Sequence, residues 1–290
     1  MSDVLRWETD PPQLRSPVLV CAFRGWNDAA GAATGALAAV AGSLDSDLLA
    51  TIDPEEFFDF QAQRPIITLT EGQTRHIEWP SNLLISAEAP AGERDLVLFD
   101  GTEPNMRWRT FSEAVADAVE RLGVEMIVTL GSLIADVAHT MPVPITGIAS
   151  DDDLVERLDL NRSTYEGPTG IVGVLHDVCR RRGMTSASLW AAVPHYVAAV
   201  PNPKAALALL RRLEGLTGVA IDASDLEEEV ESFDRQVNAA VEENPEIRQL
   251  VETLEEQQSE QFGDGEEVPS AEALASEFQR FLRQRGGDKQ

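Results

Sequence analysis

The stretch VLVCAFRGWNDAAGAATGAL, residues 18–37, decides the fold class. Its first six residues are apolar or small and include two valines. The run breaks at Gly25, passes through the polar turn Trp26-Asn27-Asp28 and enters an Ala- and Gly-rich segment. A buried strand, a tight turn and a helix N-terminus in one unit open an α/β domain. Such a turn leaves backbone N–H groups unpaired at the carboxyl end of a strand, where open α/β sheets bind ligands. Two further stretches read the same way, VTLGSLIADV from Val128 and YEGPTGIVGVL from Tyr165. The fold class predicted is α/β: a three-layer α/β/α sandwich with a mostly parallel sheet, helices on both faces, and a helical appendage at the C-terminal side.

Outward from that unit, short β-rich runs are predicted at 4–7, 47–52, 83–86, 96–99, 125–130, 145–149 and 186–193. Residues 66–70 and 74–79 flank a Gly-containing turn and read as a β-hairpin, in a β-rich insertion near 53–79. Phe111, Val115, Ala118, Val119 and Leu122 fall at helical spacing, so 109–122 is an amphipathic helix. Residues 170–181 form another. Asn202 followed by Pro203 gives a cap and a first-turn proline for a helix to about residue 216.

Beyond Gly218 the pattern changes. Leu226, Val230, Phe233, Val237 and Val241 make one apolar stripe; Ile247, Leu250, Val251 and Leu254 make a second. Asn244-Pro245 between them gives an antiparallel helical hairpin. The division expected is an α/β/α domain over 1–220, an acidic helical hairpin over 221–262, and a linker with a terminal helix, capped by Ser270, over 263–290.

The net charge is −27. Residues 222–290 hold 20 acidic and 6 basic residues, so about half the charge sits on a quarter of the chain. This balance excludes non-specific nucleic-acid binding and docking on anionic lipid. Two cysteines, Cys21 and Cys179, provide neither a disulfide framework nor a zinc site. No signal core or membrane-length apolar run is read, so a soluble cytoplasmic protein is expected.

Motifs with a unique chemistry are absent from the sequence: no Walker loop, no G-x-G-x-x-G after a strand, no G-x-S-x-G elbow, no H-E-x-x-H. His76, His139, His176 and His195 lack metal-ligand spacing, and no metal or cofactor is expected. Polar residues and glycines at strand exits remain. The ligand-cleft candidates are Gly25, Asn27, Asp28, Gly131, Ser132, Gly167, Thr169, Gly170 and His195. In a parallel sheet these exits share one edge, and the helix after Gly170 presents its N-terminus to an anion. Each also has a plain structural use: Asp28 and Thr169 as helix caps, Gly167-Pro168 as a turn, His195 as a packing residue. Thr102, Glu103, Asn105 and Asp136 follow strands as well. Arg107 and Arg109, flanking Trp108, are a clamp for a carboxylate or the solvated start of a helix.

FRGWNDAAGAATGAL from Phe23, LGSLIADVAHTMPVPITG from Leu130, YEGPTGIVGVLHDVCRRRG from Tyr165 and WAAVPHYVAAVPNPKAALALLRRL from Trp190 together resemble the proteasome assembly chaperone 2 family in its actinobacterial form. The resemblance spans about residues 15–260. It implies a phosphorylase/hydrolase-like α/β/α sandwich, binding to proteasome subunits, and a homo-oligomer, with a trimer favoured over a dimer. It brings no catalytic residue set. The last residues, Gly286-Gly287-Asp288-Lys289-Gln290, do not carry the hydrophobic–Tyr–X ending of archaeal-type relatives. The function expected is therefore a non-enzymatic assembly or interaction protein. The alternative is a nucleoside- or phosphate-type binding protein or enzyme using the strand-edge cleft. If exposed, Trp108 and Trp190 would anchor an interface.

Overall fold

The computed structural model describes residues 4–70, 74–149, 155–156, 160–162 and 166–261. The linker and terminal helix expected over 263–290 lie outside the described residues. The strands are β1 (Leu5–Trp7), β2 (Val18–Arg24), β3 (Asp45–Ile52), β4 (Ile66–Thr70), β5 (Thr74–Glu78), β6 (Leu83–Glu88), β7 (Leu96–Thr102), β8 (Met126–Ala135), β9 (Ile145–Ala149), β10 (Asn161–Arg162) and β11 (Thr185–Pro194). The helices are α1 (Ala32–Ser43), α2 (Trp108–Arg121), α3 (Ile171–Arg181), α4 (Pro203–Thr217), α5 (Ser224–Glu243) and α6 (Pro245–Gln261).

Nine strands form one sheet in the order β1-β3-β6-β7-β2-β8-β11-β9-β10. The sequence reading needs correction here. The central strands β7, β2, β8 and β11 pair parallel with one another as expected, and β10 pairs parallel with β9 at one edge. On one flank β6, β3 and β1 pair antiparallel, and on the other β9 runs antiparallel to β11. Of these antiparallel pairs only β6 and β7 are joined by a short return; the other paired strands are separated by longer segments that carry further elements.

Alternation along β2 builds the layers. Val18, Val20 and Ala22 pack with Leu37 and Val40 of α1 and Leu209, Leu210 and Leu213 of α4. Leu19, Cys21 and Phe23 face the other way, onto Phe111 and Val115 of α2 and Ile171 and Leu175 of α3. Both faces of β2 are thus buried, which is why its sequence is continuously apolar. At the carboxyl end of this second face, Phe23, Phe99, Phe57 and Phe111 form a ring cluster with centroids 5.3–6.2 Å apart. Arg182 links the layer's two helices, donating to Asp117 at 2.8 Å and to Glu113.

A second correction concerns β8, expected to end at Leu130 in a turn at Gly131. The strand runs unbroken to Ala135 and pairs with β11 residue for residue, Gly131 opposite Trp190. Gly131 is a packing glycine. A Cβ there would stand 2.6 Å from the Trp190 ring. Neither tryptophan is an exposed anchor: both Trp108 and Trp190 pack on the sheet, their indole N–H groups donating to the Pro104 carbonyl and Ser188 Oγ.

The helical hairpin forms as the spacing predicts, with Asn244 Oδ1 accepting from the N–H of Glu246 at 3.1 Å. Its stripes are covered from within the chain. Leu226 joins the core beneath α1 and α4, and Val251 and Leu254 pack on Ala138. Among the described residues no helix is long and apolar enough to cross a membrane.

Candidate functional site

Strands β2, β7, β8 and β11 deliver their carboxyl ends to one edge. There the expected residues separate into three places. The first is the start of α1. Asp28 bridges to Ser132. Its carboxylate accepts from the N–H groups of Ala33 at 2.8 Å and Thr34 at 3.2 Å, and from Thr34 Oγ1 at 2.5 Å. Ser132 Oγ donates to the Ala29 carbonyl, and its N–H to the Asn27 carbonyl, both at 2.9 Å. Burial raises the Asp28 pKa above the ordinary carboxylate value, against the pull of its Thr34 and Ala33 hydrogen bonds. Asp28 is thus the internal anion of this helix terminus, and Ser132 is a buried brace.

The second place is the start of α3. Gly170 is its N-cap and offers no side chain, and Thr169 does not cap: its hydroxyl reaches only the Gly170 carbonyl, at 3.4 Å. The cap comes from Glu103, at the exit of β7. Its Oε1 accepts from the Ile171 N–H at 2.9 Å. Gly25 makes room for it. With φ at +126° it holds a conformation that side-chain-bearing residues rarely adopt, and a Cβ would stand 3.3 Å from Glu103 Cβ. Asn27 completes this cluster. It is 3% exposed, its Nδ2 has no hydrogen-bond partner, and it lies 2.9 Å from where a Cβ on Gly170 would be. Gly167 and Thr169 are exposed on the approach to it.

The third place is the exit of β11. His195 Nδ1 lies 3.1 Å from Asp136 Oδ1, and both side chains are substantially exposed. In register, Ser132 pairs with Ala191, three residues before Pro194. The His195–Asp136 pair, four residues on from that position in each strand, therefore stands about 13 Å further along than the Asp28–Ser132 bridge. His195 does not join the other candidates in one cleft. Among the described residues no serine or cysteine is hydrogen-bonded to it.

Sequence reasoning passed over two groups here. Glu103 was one polar exit among several, and its partner lies 68 positions away. The other group centres on His139, buried beside Tyr196. The Tyr196 hydroxyl lies 2.8 Å from both the His139 N–H and Nδ1, and Asn238 Oδ1 lies 3.0 Å from Nε2. The donors set the tautomer. Asn238 Oδ1 only accepts, so Nε2 carries the proton and Nδ1 accepts from the tyrosine. Lys204 Nζ donates to the His139 carbonyl at 2.5 Å, and Gln258 Oε1 accepts from the Ala138 N–H at 3.1 Å. Arg107 is not a free clamp either: it pairs with Glu56 and lies 5.5 Å over the Phe57 ring.

Among the described residues no group of three or more His, Cys, Asp or Glu is placed to hold a metal ion.

The family model described as the PAC2 family matches residues 22–241. The chain belongs to the PAC2 family. The match takes in every site residue above except Gln258. A PAC2 family protein from Streptomyces avermitilis is 45% identical with a TM-score of 0.75, covering 81% of this chain and 99% of its own. A Mycobacterium tuberculosis proteasome-assembly chaperone homologue is 41% identical with a TM-score of 0.74, at the same coverages. A second Mycobacterium tuberculosis protein, of unknown function, is 28% identical with a TM-score of 0.85, covering 97% of this chain and 96% of its own. No curated protein matches.

Proposed function

We propose that this PAC2 family member is a non-enzymatic assembly or interaction protein of the proteasome assembly chaperone type, acting on proteasome subunits and associating with itself. The observation that carries this reading is the state of the two helix N-termini at the sheet's carboxyl edge. At α1 Asp28 accepts from the N–H groups of Ala33 and Thr34, and at α3 Glu103 accepts from that of Ile171, so each terminus already seats one of the chain's own carboxylates. A phosphate or nucleotide drawn to either terminus would meet a like charge already seated there. The relative from Mycobacterium tuberculosis described as a proteasome-assembly chaperone homologue supports the same reading.

The test is co-purification. Tagged chain, co-expressed with the α and β proteasome subunits of an actinobacterium, is expected to retain unassembled subunits or half-assembled intermediates. Absence of any subunit under low-salt, cross-linked conditions would sink the reading.

One observation favours the second reading, a small-molecule site. Asn27 Nδ2 is buried without a partner beside Gly170 and Glu103, a donor positioned for an acceptor atom. Thermal-shift measurement with nucleosides, nucleotides and inorganic phosphate decides it. A ligand at 100 times its Kd adds about 2.7 kcal/mol, a readily seen shift. No shift with any of them excludes the site.

A further inference from the structure

The helix α1, AATGALAAVAGS, carries no charged residue. A helix that is apolar all round belongs in a core. Ala33, Ala36, Leu37 and Val40 do lie in the core, yet Ala38 and Gly42 on the outer side are exposed. That outer side and the start of α5 wall a groove of about 510 Å³ over Ala206 of α4. Gly35 and Gly42, seven residues apart on one face of α1, both line it. Neither has a positive φ. A Cβ on Gly42 would meet nothing within 4 Å, and one on Gly35 only Ala206 Cβ, at 3.5 Å. Gly35, inside the helix, costs about 1 kcal/mol against alanine. Neither conformation nor packing among the described residues calls for these glycines; the close approach of another backbone does.

Two hydrogen bonds fix the ends of the groove. The Asn202 N–H donates to the Ala30 carbonyl at 2.9 Å, so the start of α4 lies at the start of α1. The Asp222 N–H donates to Ser43 Oγ at 2.7 Å, so the approach to α5 lies at the end of α1. At that far end the α5 wall is acidic, with Asp222, Asp225 and Glu229. The near end lies close to where α6 finishes. Gln258 of α6 and Lys204 of α4 bond adjacent residues, Ala138 and His139. From Gln261 the eight residues 262–269 reach up to about 26 Å, enough to cross the two side chains and single Cα step between Gln258 and Lys204.

We propose that the C-terminal segment 270–285 of the same chain fills this groove as a helix parallel to α1. Three features select it. The first is its apolar face: Leu274, Phe278 and Leu282 recur every four positions. Leu274 to Leu282 spans about 12 Å of helix against about 11 Å from Gly35 to Gly42, so the two leucines seat over the two glycines. The second is length, since a helix over 270–282 runs about 20 Å and α1 about 18 Å. The third is charge. In a chain of net −27, residues 278–287 carry Arg280, Arg283 and Arg285 and no acidic residue. A helix entering at the Asn202 end delivers these arginines to Asp222 and Asp225. The reverse direction would set Glu272 and Glu277 against them, like on like.

The test uses the full chain. The two native cysteines are buried, so introduced thiols are the accessible ones. Gly42→Cys with Leu282→Cys is expected to form an intrachain disulfide on mild oxidation, read as a faster-running band of one chain mass. Gly42→Cys with Leu274→Cys, about 12 Å out of register, is not. No cross-link in the first pair, or equal cross-linking in both, would overturn the proposal. Cross-links only between chains would overturn it too, since a second copy's segment would then be the occupant. Hydrogen exchange gives a measurement free of cysteines. Amides of 274–282 are expected to exchange about tenfold or more slowly in wild type than in Gly42→Leu. The leucine enters open space and is the better helix former, so α1 keeps its own protection. Wild-type amides exchanging at the free-peptide rate, or staying equally protected in Gly42→Leu, would overturn the seat.

Discussion

Glu103 Oε1 accepts a hydrogen bond from the Ile171 N–H at 2.9 Å, so a carboxylate leaving β7 closes the helix that leads into β11. The carboxylate sits at the positive end of the α3 dipole and satisfies one of its free donors.

Glu103→Ala is expected to cost about 1 kcal/mol, as loss of a helix cap does. For a chain of this size that lowers Tm by roughly 2–4 °C. Sulfate should stabilise the variant more than the wild type, because the vacated terminus regains its affinity for anions. Equal sulfate responses in a thermal melt would show that Glu103 does not guard the terminus.

His176 is half-buried between Thr129 Oγ1 and Ser186 Oγ, each 2.9 Å from a ring nitrogen. Burial lowers its pKa from 6.5 to about 4. The unfolded chain therefore binds the proton first as pH falls. Stability from the neutral ring is full above pH 6.5 and is lost progressively towards pH 4, by about 3 kcal/mol in all. Urea melts of wild type and His176→Gln at pH 7 and pH 4 should show the gap between them shrinking by that order. A gap independent of pH would refute the shift.

Gly131→Ala must displace the Trp190 ring from the middle of the sheet. The expected cost is about 1–3 kcal/mol, that of overpacking a close-packed site. Denaturation followed by tryptophan emission measures it. Paired with Trp190→Leu, the cost should fall well below the sum of the two single changes, since the residues touch.

Asn238→Ala leaves the His139 Nε2–H buried without its acceptor, at a cost of about 1–3 kcal/mol. The hairpin should then open locally more often. Limited proteolysis is expected to cut between α5 and the β8–β9 loop at an earlier protease dose than in wild type; identical digestion patterns would argue against the clasp.

What the sequence disclosed followed the range of the interactions concerned. The caps at Asn202 and Asn244 were legible because acceptor and donors lie within three residues. Asp28 was legible as a cap from its place just before the helical run, though its donors lie five and six residues on, past a kink at Ala30. Glu103 was not, since nothing local marks it as the partner of Ile171. Gly131 misled because glycine usually marks a turn, and its true cause is a tryptophan 59 positions later. The flank strands were found except the two-residue β10, but their direction was not: pairing sense depends on how the chain returns, which apolar runs do not encode.

The His139 clasp carries a consequence for biosynthesis. The loop after β8 depends on Tyr196, Lys204, Asn238 and Gln258, and the last is 120 residues downstream of the Ala138 N–H it receives. On the ribosome the central strand can emerge and pair with β2, but the loop leaving it gains its partners one at a time and holds the full set only when α6 is nearly complete. Contacts of such sequence separation form late. A nascent chain stalled before residue 258 is expected to remain cleavable at 136–142, and the sheet's carboxyl edge to acquire its final shape only at the end of synthesis.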